Sequence, residues 1–244
     1  MQPLTNQHVF KRKLKMKSLL TVVLAATLVL PSFGQKRSVD VGSFTELSLG
    51  IPAKLYIKQG SNDQIQIECD DDLFDEIEFE MKGDRLVIQK EGKWNWKDGW
   101  SRSDITIYVT MREIEGLGVS GSGYIESDGT LSTEDMRLSV SGSGDMELDV
   151  ESEEMDLRIS GSGSIRLNGK ANEAEAKISG SGKIKAEDLE VKVFQASISG
   201  SGSCYITATE EIEAKISGSG SIYYNGDPKR VISDSSGSGK VRKM

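Results

Sequence analysis

The chain has 244 residues, with 38 Asp and Glu, 30 Lys and Arg and one His, and its formal net charge is −8 at pH 7. An acidic chain repels nucleic acid and anionic lipid, so the charge argues against both as partners. We expect no cofactor, because the sequence contains no motif of a cofactor site.

Residues 1–34 have the three parts of a secretory signal peptide. Basic residues at positions 11–17 precede the apolar run Leu19–Leu30, and small residues follow before a cleavage site at Gln35. Met16 is a second candidate start, which would make residues 1–15 an over-long gene start. The apolar run is shorter than the roughly 20 residues of a membrane span, and an uncleaved anchor is the alternative.

Cleavage at this site changes the charge of the chain. The removed segment contains His8 and five basic residues, which leaves 25 basic and 38 acidic residues and a formal charge of −13. We therefore expect an exported protein, in the periplasm, on the outer surface or outside the cell, with no membrane insertion after cleavage.

Residues 35–118 are predicted to form a β-rich N-terminal domain. Apolar and polar residues alternate in four segments, and glycine-containing turns separate them. The predicted strands are Ala53–Lys58, Gln64–Cys69, Glu76–Met81 and Ser103–Val109, with a further short strand at Arg85–Ile88.

Residues 119–244 are organised around a repeated Ser-Gly-Ser-Gly motif. Its spacings are 21, 19, 19, 20, 18 and 19 residues, which is typical of a repeat architecture. The motif begins at Ser120, Ser141, Ser160, Ser179, Ser199, Ser217 and Ser236. The last copy runs only to Met244 and is expected to be a frayed end or a cap.

The repeats carry apolar residues at fixed positions of one parity. The residue before the motif is Val or Ile in the first six copies, and the sixth residue from the motif start is apolar in all seven. A period of two indicates strands, and the same columns recurring in one direction favour parallel stacking. The sequence therefore predicts an all-β protein, a parallel β-solenoid (β-helix) with rungs of about 19 residues cornered by SGSG. An antiparallel sandwich or meander fits less well. If the alternation is unbroken, both glycines of each motif point inward.

Two cysteines, Cys69 and Cys204, occupy apolar positions of this alternation. Each is interpreted as a small buried hydrophobic residue. A disulfide between them stays open as an alternative in an oxidising compartment.

The arrangement resembles the putative auto-transporter adhesin, head GIN domain family. The carrying segments are Phe44–Gly50, Leu55–Gly60, Gly83–Ile88 and Leu117–Gly123, and the resemblance spans residues 37–242. It implies a β-helical protein of a Gram-negative cell envelope with an adhesin-like role. It supplies no catalytic residues.

The candidates for catalysis are carboxylates, because the mature chain has no histidine to activate a serine or cysteine. Glu126 and Glu147 share an outward position in adjacent repeats, about 5 Å apart, with Asp145 beside them. That separation is near the one used by retaining glycosidases. The alternative is a solvated face, in which Glu147 meets Arg166.

The acidic stretch at residues 68–76 is the candidate for a metal site. It lacks the ligand spacing and the loop glycine of an EF-hand, so we expect a solvated loop and no metal.

All three tryptophans, Trp94, Trp96 and Trp100, fall in one polar connection between strands. Clustered indoles are typical of a surface that binds a glycan or a protein, and indoles that seal an open end of the core are the equal alternative.

The sequence thus predicts a non-enzymatic adhesin-like or structural binding protein of the cell envelope. The expected partner is a glycan or an envelope or cell-surface protein, contacted through the tryptophan loop. End-to-end self-association is also expected from the exposed ends of a solenoid. The alternative is a carbohydrate-active β-helical enzyme that uses Glu126, Asp145 and Glu147.

Overall fold

The computed structural model of the protein describes residues 36–92, 100 and 104–244. The predicted signal peptide and two of the three tryptophans, Trp94 and Trp96, lie outside the described residues. The strands are β1 Arg37–Val39, β2 Glu46–Leu49, β3 Lys54–Gln59, β4 Gln64–Glu68, β5 Ile77–Lys82, β6 Arg85–Lys90, β7 Thr106–Met111, β8 Gly116–Gly121, β9 Tyr124–Gly142, β10 Asp145–Gly161, β11 Ser164–Gly180, β12 Lys183–Gly200, β13 Ser203–Gly218, β14 Ser221–Asn225, β15 Arg230–Gly237 and β16 Lys240–Lys243; the helix α1 is Asp71–Phe74. Among these residues, no helix is long or apolar enough to cross a lipid bilayer.

The strands β8 to β16 form the rungs of a parallel solenoid. Each long strand pairs in parallel with the next one, and the register places every motif on the motif before it. Ser160, for example, pairs with Ser141 on one side and with Ser179 on the other. The predicted parallel β-solenoid is confirmed.

The apolar columns meet in one continuous core. The column at the sixth repeat position is almost fully buried, and it contains Ile125, Met146, Ile165, Ile184, Cys204 and Ile222. The column before the motif, from Val119 to Ile216, is buried as well. Burial of each large aliphatic side chain stabilises the fold by about 1.5–3 kcal/mol, so this core is the main source of stability.

The two glycines of each motif have different structural roles. The first has a left-handed backbone, with a φ of 125° at Gly161, and is half-exposed at the corner. The second, such as Gly163, is buried: a Cβ there would lie 2.2 Å from the carbonyl oxygen of Gly144 and 2.6 Å from Val140 Cγ1. The alternation predicts that both glycines point inward, and only the second one does. The first glycine instead makes the bend at the corner.

The N-terminal strands continue the same stack, but their order in the stack differs from their order in the sequence. The first strands, β2 and β3, pair in parallel with β8 and β9 on one side. On the other side they pair in parallel with β6 and β7, which come later in the sequence than β3. Antiparallel strands then cover this end, β5 on β6, and β4 on β7 with β1 beyond it. The domain boundary at residue 118 stays a prediction, and the strands on its two sides share one sheet.

The C-terminal end is the last rung, formed by β15 and β16. All eight residues of β15 are exposed, including Val231 at 41% and Ile232 at 37%. Two of its inward positions are polar: Ser233 pairs with Ala214 and Ser235 pairs with Ile216. Two of the apolar columns therefore end in serine, whereas the columns of Ile212 and Ile222 end in Val231 and Val241.

Candidate binding surface

Of the predicted tryptophan site, only Trp100 is among the described residues. Its indole is partly buried against the core, and Lys90 Nζ lies 5.5 Å from its ring centroid. Trp100 therefore covers apolar residues, as in the sealing alternative. A recognition role for Trp94, Trp96 and Trp100 together stays a prediction.

The three candidate catalytic carboxylates lie on one outward face of the first two full rungs. Glu126 is the register partner of Glu147, as the repeat alignment predicts, and Asp145 is the partner of Tyr124. The Tyr124 hydroxyl donates a hydrogen bond to Glu147 Oε2 at 3.3 Å. Arg166 Nε lies 3.9 Å from the same oxygen, and Ser164 Oγ donates to Asp145 Oδ1 at 2.8 Å.

Glu147 and Asp145 therefore both have polar partners on neighbouring strands. The Glu147 side chain is 49% exposed. Burial, followed by the negative charges of Glu126 and Glu147, raises the pKa of the Tyr124 hydroxyl above its ordinary value, so this hydroxyl stays protonated and serves as a hydrogen-bond donor. A catalytic role for Glu126, Asp145 and Glu147 stays a prediction.

The acidic stretch is more ordered than the predicted loop. Residues Asp71–Phe74 form one helical turn, and Arg37 makes an ion pair with Asp71. Within the described part of the chain, no three His, Cys, Asp or Glu residues are grouped so that they could hold a metal ion.

Neither cysteine is in a disulfide. Cys204 is fully buried in its apolar column, and Cys69 is only partly buried just after β4. Burial raises the pKa of the Cys69 thiol to about 11, and it raises that of Cys204 further. Both thiols therefore stay protonated at neutral pH and are poor nucleophiles.

One outward face of the solenoid, which we call the tyrosine face, was only partly predicted from the sequence. It comprises the outward positions of β3 and β7 and of the strand segments just after each SGSG motif. Five of the six tyrosines of the chain lie on it: Tyr56, Tyr108, Tyr124, Tyr205 and Tyr223. The sixth, Tyr224, packs against the core.

Four of these tyrosines are stacked in two pairs. The ring centroids of Tyr56 and Tyr108 are 5.6 Å apart at an interplanar angle of 21°, and Lys36 Nζ lies 4.1 Å from the Tyr108 centroid. The centroids of Tyr205 and Tyr223 are 5.0 Å apart at 14°. Stacked cross-strand pairs stabilise a sheet, and all four of these tyrosines remain partly exposed.

The charge of this face changes along the solenoid axis. The outward column that contains the tyrosines is acidic at Glu126 and Glu147 and basic at Arg166 and Lys185. Repeat alignment predicts this order within the SGSG rungs. It does not predict that Tyr56 and Tyr108 join the same column, because the position of β3 and β7 in the stack depends on long-range pairing.

A second polar site joins three strands on another face. Glu46 accepts hydrogen bonds from Arg85 Nε at 2.6 Å and from Arg137 Nη2 at 2.7 Å, and Arg137 also reaches Glu115 at 3.1 Å. Burial raises the pKa of Glu46, but the bonds from both arginines outweigh it, so the pKa lies below its ordinary value. A groove of about 240 Å³ runs beside these residues, with Gly118 in its lining.

The parallel register and the ordered outward columns define the class of this protein as a β-solenoid with a polar, aromatic surface. A family model described as putative auto-transporter adhesin, head GIN domain, matches residues 43–228. The chain belongs to this family, which confirms the resemblance seen in the sequence. A search of curated proteins finds no match.

Solved structures share this fold. A crystal structure of a putative adhesin from Bacteroides fragilis is 24% identical, with a TM-score of 0.76, covering 86% of this chain and 96% of that one. A putative lipid binding protein from Parabacteroides distasonis is 24% identical with a TM-score of 0.70, covering 87% and 97%. A putative adhesin from the same species is 20% identical with a TM-score of 0.69, covering 86% and 96%. At these identities the likeness establishes the fold alone.

Proposed function

We propose that this protein is a non-enzymatic, adhesin-like binding protein of the cell envelope that contacts a glycan or a surface protein through the tyrosine face. The observation that carries the proposal is the concentration of five of six tyrosines on one outward face, where their side chains are not part of the hydrophobic core. Aromatic side chains on a rigid polar surface are enriched where proteins bind partners.

The predicted signal peptide supports this role. The family is named for adhesins, and residues 1–34 read as a signal peptide. We propose an exported protein, located in the periplasm, on the outer surface or outside the cell.

The test is binding of the purified protein to a panel of glycans and envelope proteins. Two variants remove the stacked pairs, Tyr56→Ala with Tyr108→Ala, and Tyr205→Ala with Tyr223→Ala. A third changes Trp94, Trp96 and Trp100 to alanine and tests the tryptophan loop. We expect saturable binding by the wild-type protein and a loss of about ten-fold or more in at least one tyrosine variant, because aromatic anchors dominate binding energy.

Circular dichroism and thermal melting check that each variant is folded. If binding is lost only in the tryptophan variant, the contact surface is the loop and not the tyrosine face. Reducing-sugar release by the wild-type protein, abolished by Glu126→Gln and Glu147→Gln, would contradict a non-enzymatic function. Absence of any binding would overturn the proposal.

A further inference from the structure

The geometry points to an acidic polysaccharide as the ligand of one part of the tyrosine face, an inference that rests on the proposed function. The site is the C-terminal section of that face, which we call the basic tyrosine patch. It consists of two adjacent outward columns on four consecutive rungs: Lys183, Ser203, Ser221 and Lys240 in one, and Lys185, Tyr205, Tyr223 and Arg242 in the other.

The patch concentrates positive charge on a negatively charged protein. Its two columns contain four cationic side chains and no carboxylate, whereas the whole chain carries a formal charge of −8. Three of the four, Lys183, Lys240 and Arg242, are exposed, and Lys185 is half-exposed. Such a local concentration of one sign attracts a ligand of the opposite sign.

These four cations differ from most arginines and lysines on the other faces. Arg137, Arg158, Lys177 and Lys215 each make an ion pair with a neighbouring carboxylate. In the described part of the chain, no carboxylate lies within 4.0 Å of the amino or guanidinium nitrogens of the patch. Their charges therefore remain available to a ligand.

The remaining side chains of the patch are also hydrogen-bond donors. The rings of Tyr205 and Tyr223 stack on each other with their centroids 5.0 Å apart. The adjacent outward column carries the hydroxyls of Ser203 and Ser221 on the same two rungs. Phenol and serine hydroxyls donate to carboxylate, sulfate and sugar oxygens, and ammonium and guanidinium groups can only donate. The patch as a whole therefore fits a ligand rich in acceptor oxygens.

An extended polymer matches the shape of the patch. Lys185 and Arg242 lie in the same column three strand spacings apart, which is about 14 Å. A chain with repeated anionic groups can reach both of them and pass over the two tyrosine hydroxyls between. A single small anion would use only one end.

A protein partner or a membrane fits this surface less well. A protein interface has an apolar centre, but the large exposed apolar residues of the described chain are Val231, Ile232 and Met244, none of which is in the patch. A flat anionic membrane laid on this face would also meet Asp145 and Glu147 on preceding rungs, and like charges would repel it. A single polymer chain crossing the patch avoids those carboxylates.

The experiment measures equilibrium binding of the purified protein to four probes: polygalacturonate, dextran sulfate, unmodified dextran, and vesicles of phosphatidylglycerol and phosphatidylcholine. We expect binding to at least one of the two acidic polymers, weaker at about 300 mM than at about 50 mM salt, and none to dextran or vesicles. Lys185→Gln with Arg242→Gln should weaken that binding about ten-fold, and Lys183→Gln with Lys240→Gln provides an independent second variant.

The matched control is Lys170→Gln with Lys192→Gln, which removes the same charge from exposed positions on another face. We expect it to leave the affinity within about two-fold of wild type, because these lysines lie outside the patch. Tyr205→Phe with Tyr223→Phe keeps the stacked rings, removes both hydroxyls and should weaken binding by a smaller factor than the charge variants.

Each other outcome overturns the inference. It fails if the wild-type protein binds neither acidic polymer, if it binds vesicles instead, or if the patch and control variants lose the same affinity. Binding to another member of the glycan and protein panel without binding to an acidic polymer would refute this ligand and leave the proposed function standing. No binding to any of the four probes or to any member of the panel would refute both.

Discussion

The glycine at the fourth position of the motif determines how closely successive rungs can stack. Its α-carbon faces the backbone of the preceding rung. At Gly163, an added side chain would meet the carbonyl oxygen of Gly144 and a γ-methyl group of Val140, the residue just before the preceding motif. Neither obstacle is a flexible side-chain end. A copy of this contact recurs at every corner from Gly144 to Gly239, and the serines between the glycines face solvent.

We expect Gly163→Ala to destabilise the protein by about 3 kcal/mol or more, since its methyl group would overlap backbone atoms of the adjoining strand. The control is Gly83→Ala in the turn between β5 and β6, where φ is 65° but no atom lies within 4 Å of the added carbon. That change should cost about 1–2 kcal/mol, from the left-handed backbone alone. Urea unfolding followed by circular dichroism measures both. A loss at Gly163 no larger than the loss at Gly83 would contradict a role of rung contact at this glycine.

At the level of elements, the Glu46 carboxylate holds three strands in register. Glu46 is on β2, and its partners Arg85 and Arg137 are on β6 and β9, so one side chain bridges strands that are far apart in sequence. The Glu46 side chain is 17% exposed and both arginines are about half-exposed, which limits the strength of each ion pair.

We expect Glu46→Gln to lower the free energy of unfolding by about 1 kcal/mol at pH 7, because two charge-assisted hydrogen bonds weaken. The folded-state pKa of Glu46 lies below the ordinary value of 4.5, so its contribution is present above pH 4.5 and is lost as the pH falls through the lowered pKa. The difference between variant and wild type should therefore shrink in acid. Thermal melting from pH 7 to about pH 3 measures it.

The control for that experiment is Glu154→Gln, an exposed carboxylate on the neighbouring rung with no ion pair among the described residues. It should change the melting temperature little at any pH. A difference between Glu46→Gln and wild type that stays constant in acid would contradict an electrostatic role for Glu46.

The sequence predicted some elements of the stack and not others, for a physical reason. Strands β9 to β13 follow one another both in the chain and in space, so aligning Ser141 with Ser160 also aligns their neighbours in the fold. Strands β2 and β3 lie between β6–β7 and β8–β9, and residues 60–115 intervene before the chain returns. Alternation identifies each of these strands but not its partner, which depends on long-range packing. The tyrosine column was incomplete in the sequence for this reason.

At the scale of the whole molecule, the two ends of the solenoid differ. Antiparallel strands cover the N-terminal rungs, whereas β15 and β16 each pair with one strand only among the described residues. An uncovered edge is a template for pairing with another chain. The inward serines Ser233 and Ser235 reduce the apolar area that such pairing would bury.

We expect Ser233→Ile with Ser235→Ile to promote end-to-end association, because isoleucine would extend the buried columns to the open edge. Sedimentation equilibrium over a range of protein concentrations measures the change, which should appear as dimers or longer species at lower concentration than for wild type. Ser139→Ile with Ser197→Ile, on the outward side of β9 and β12, is the control. If both variants associate to the same degree, the cause is nonspecific association through the added apolar side chains and not pairing of rungs.

The corner geometry also has a genetic consequence. Every corner rests on a copy of itself, and β10 and β11 are offset by 19 residues along almost their whole length. An in-frame duplication of one such unit would add a layer about 4.8 Å thick without changing either end of the molecule. Copying errors in a repetitive gene can therefore lengthen or shorten this protein while they preserve its cross-section. The distance between its two ends is a trait that can be inherited and selected separately from the fold.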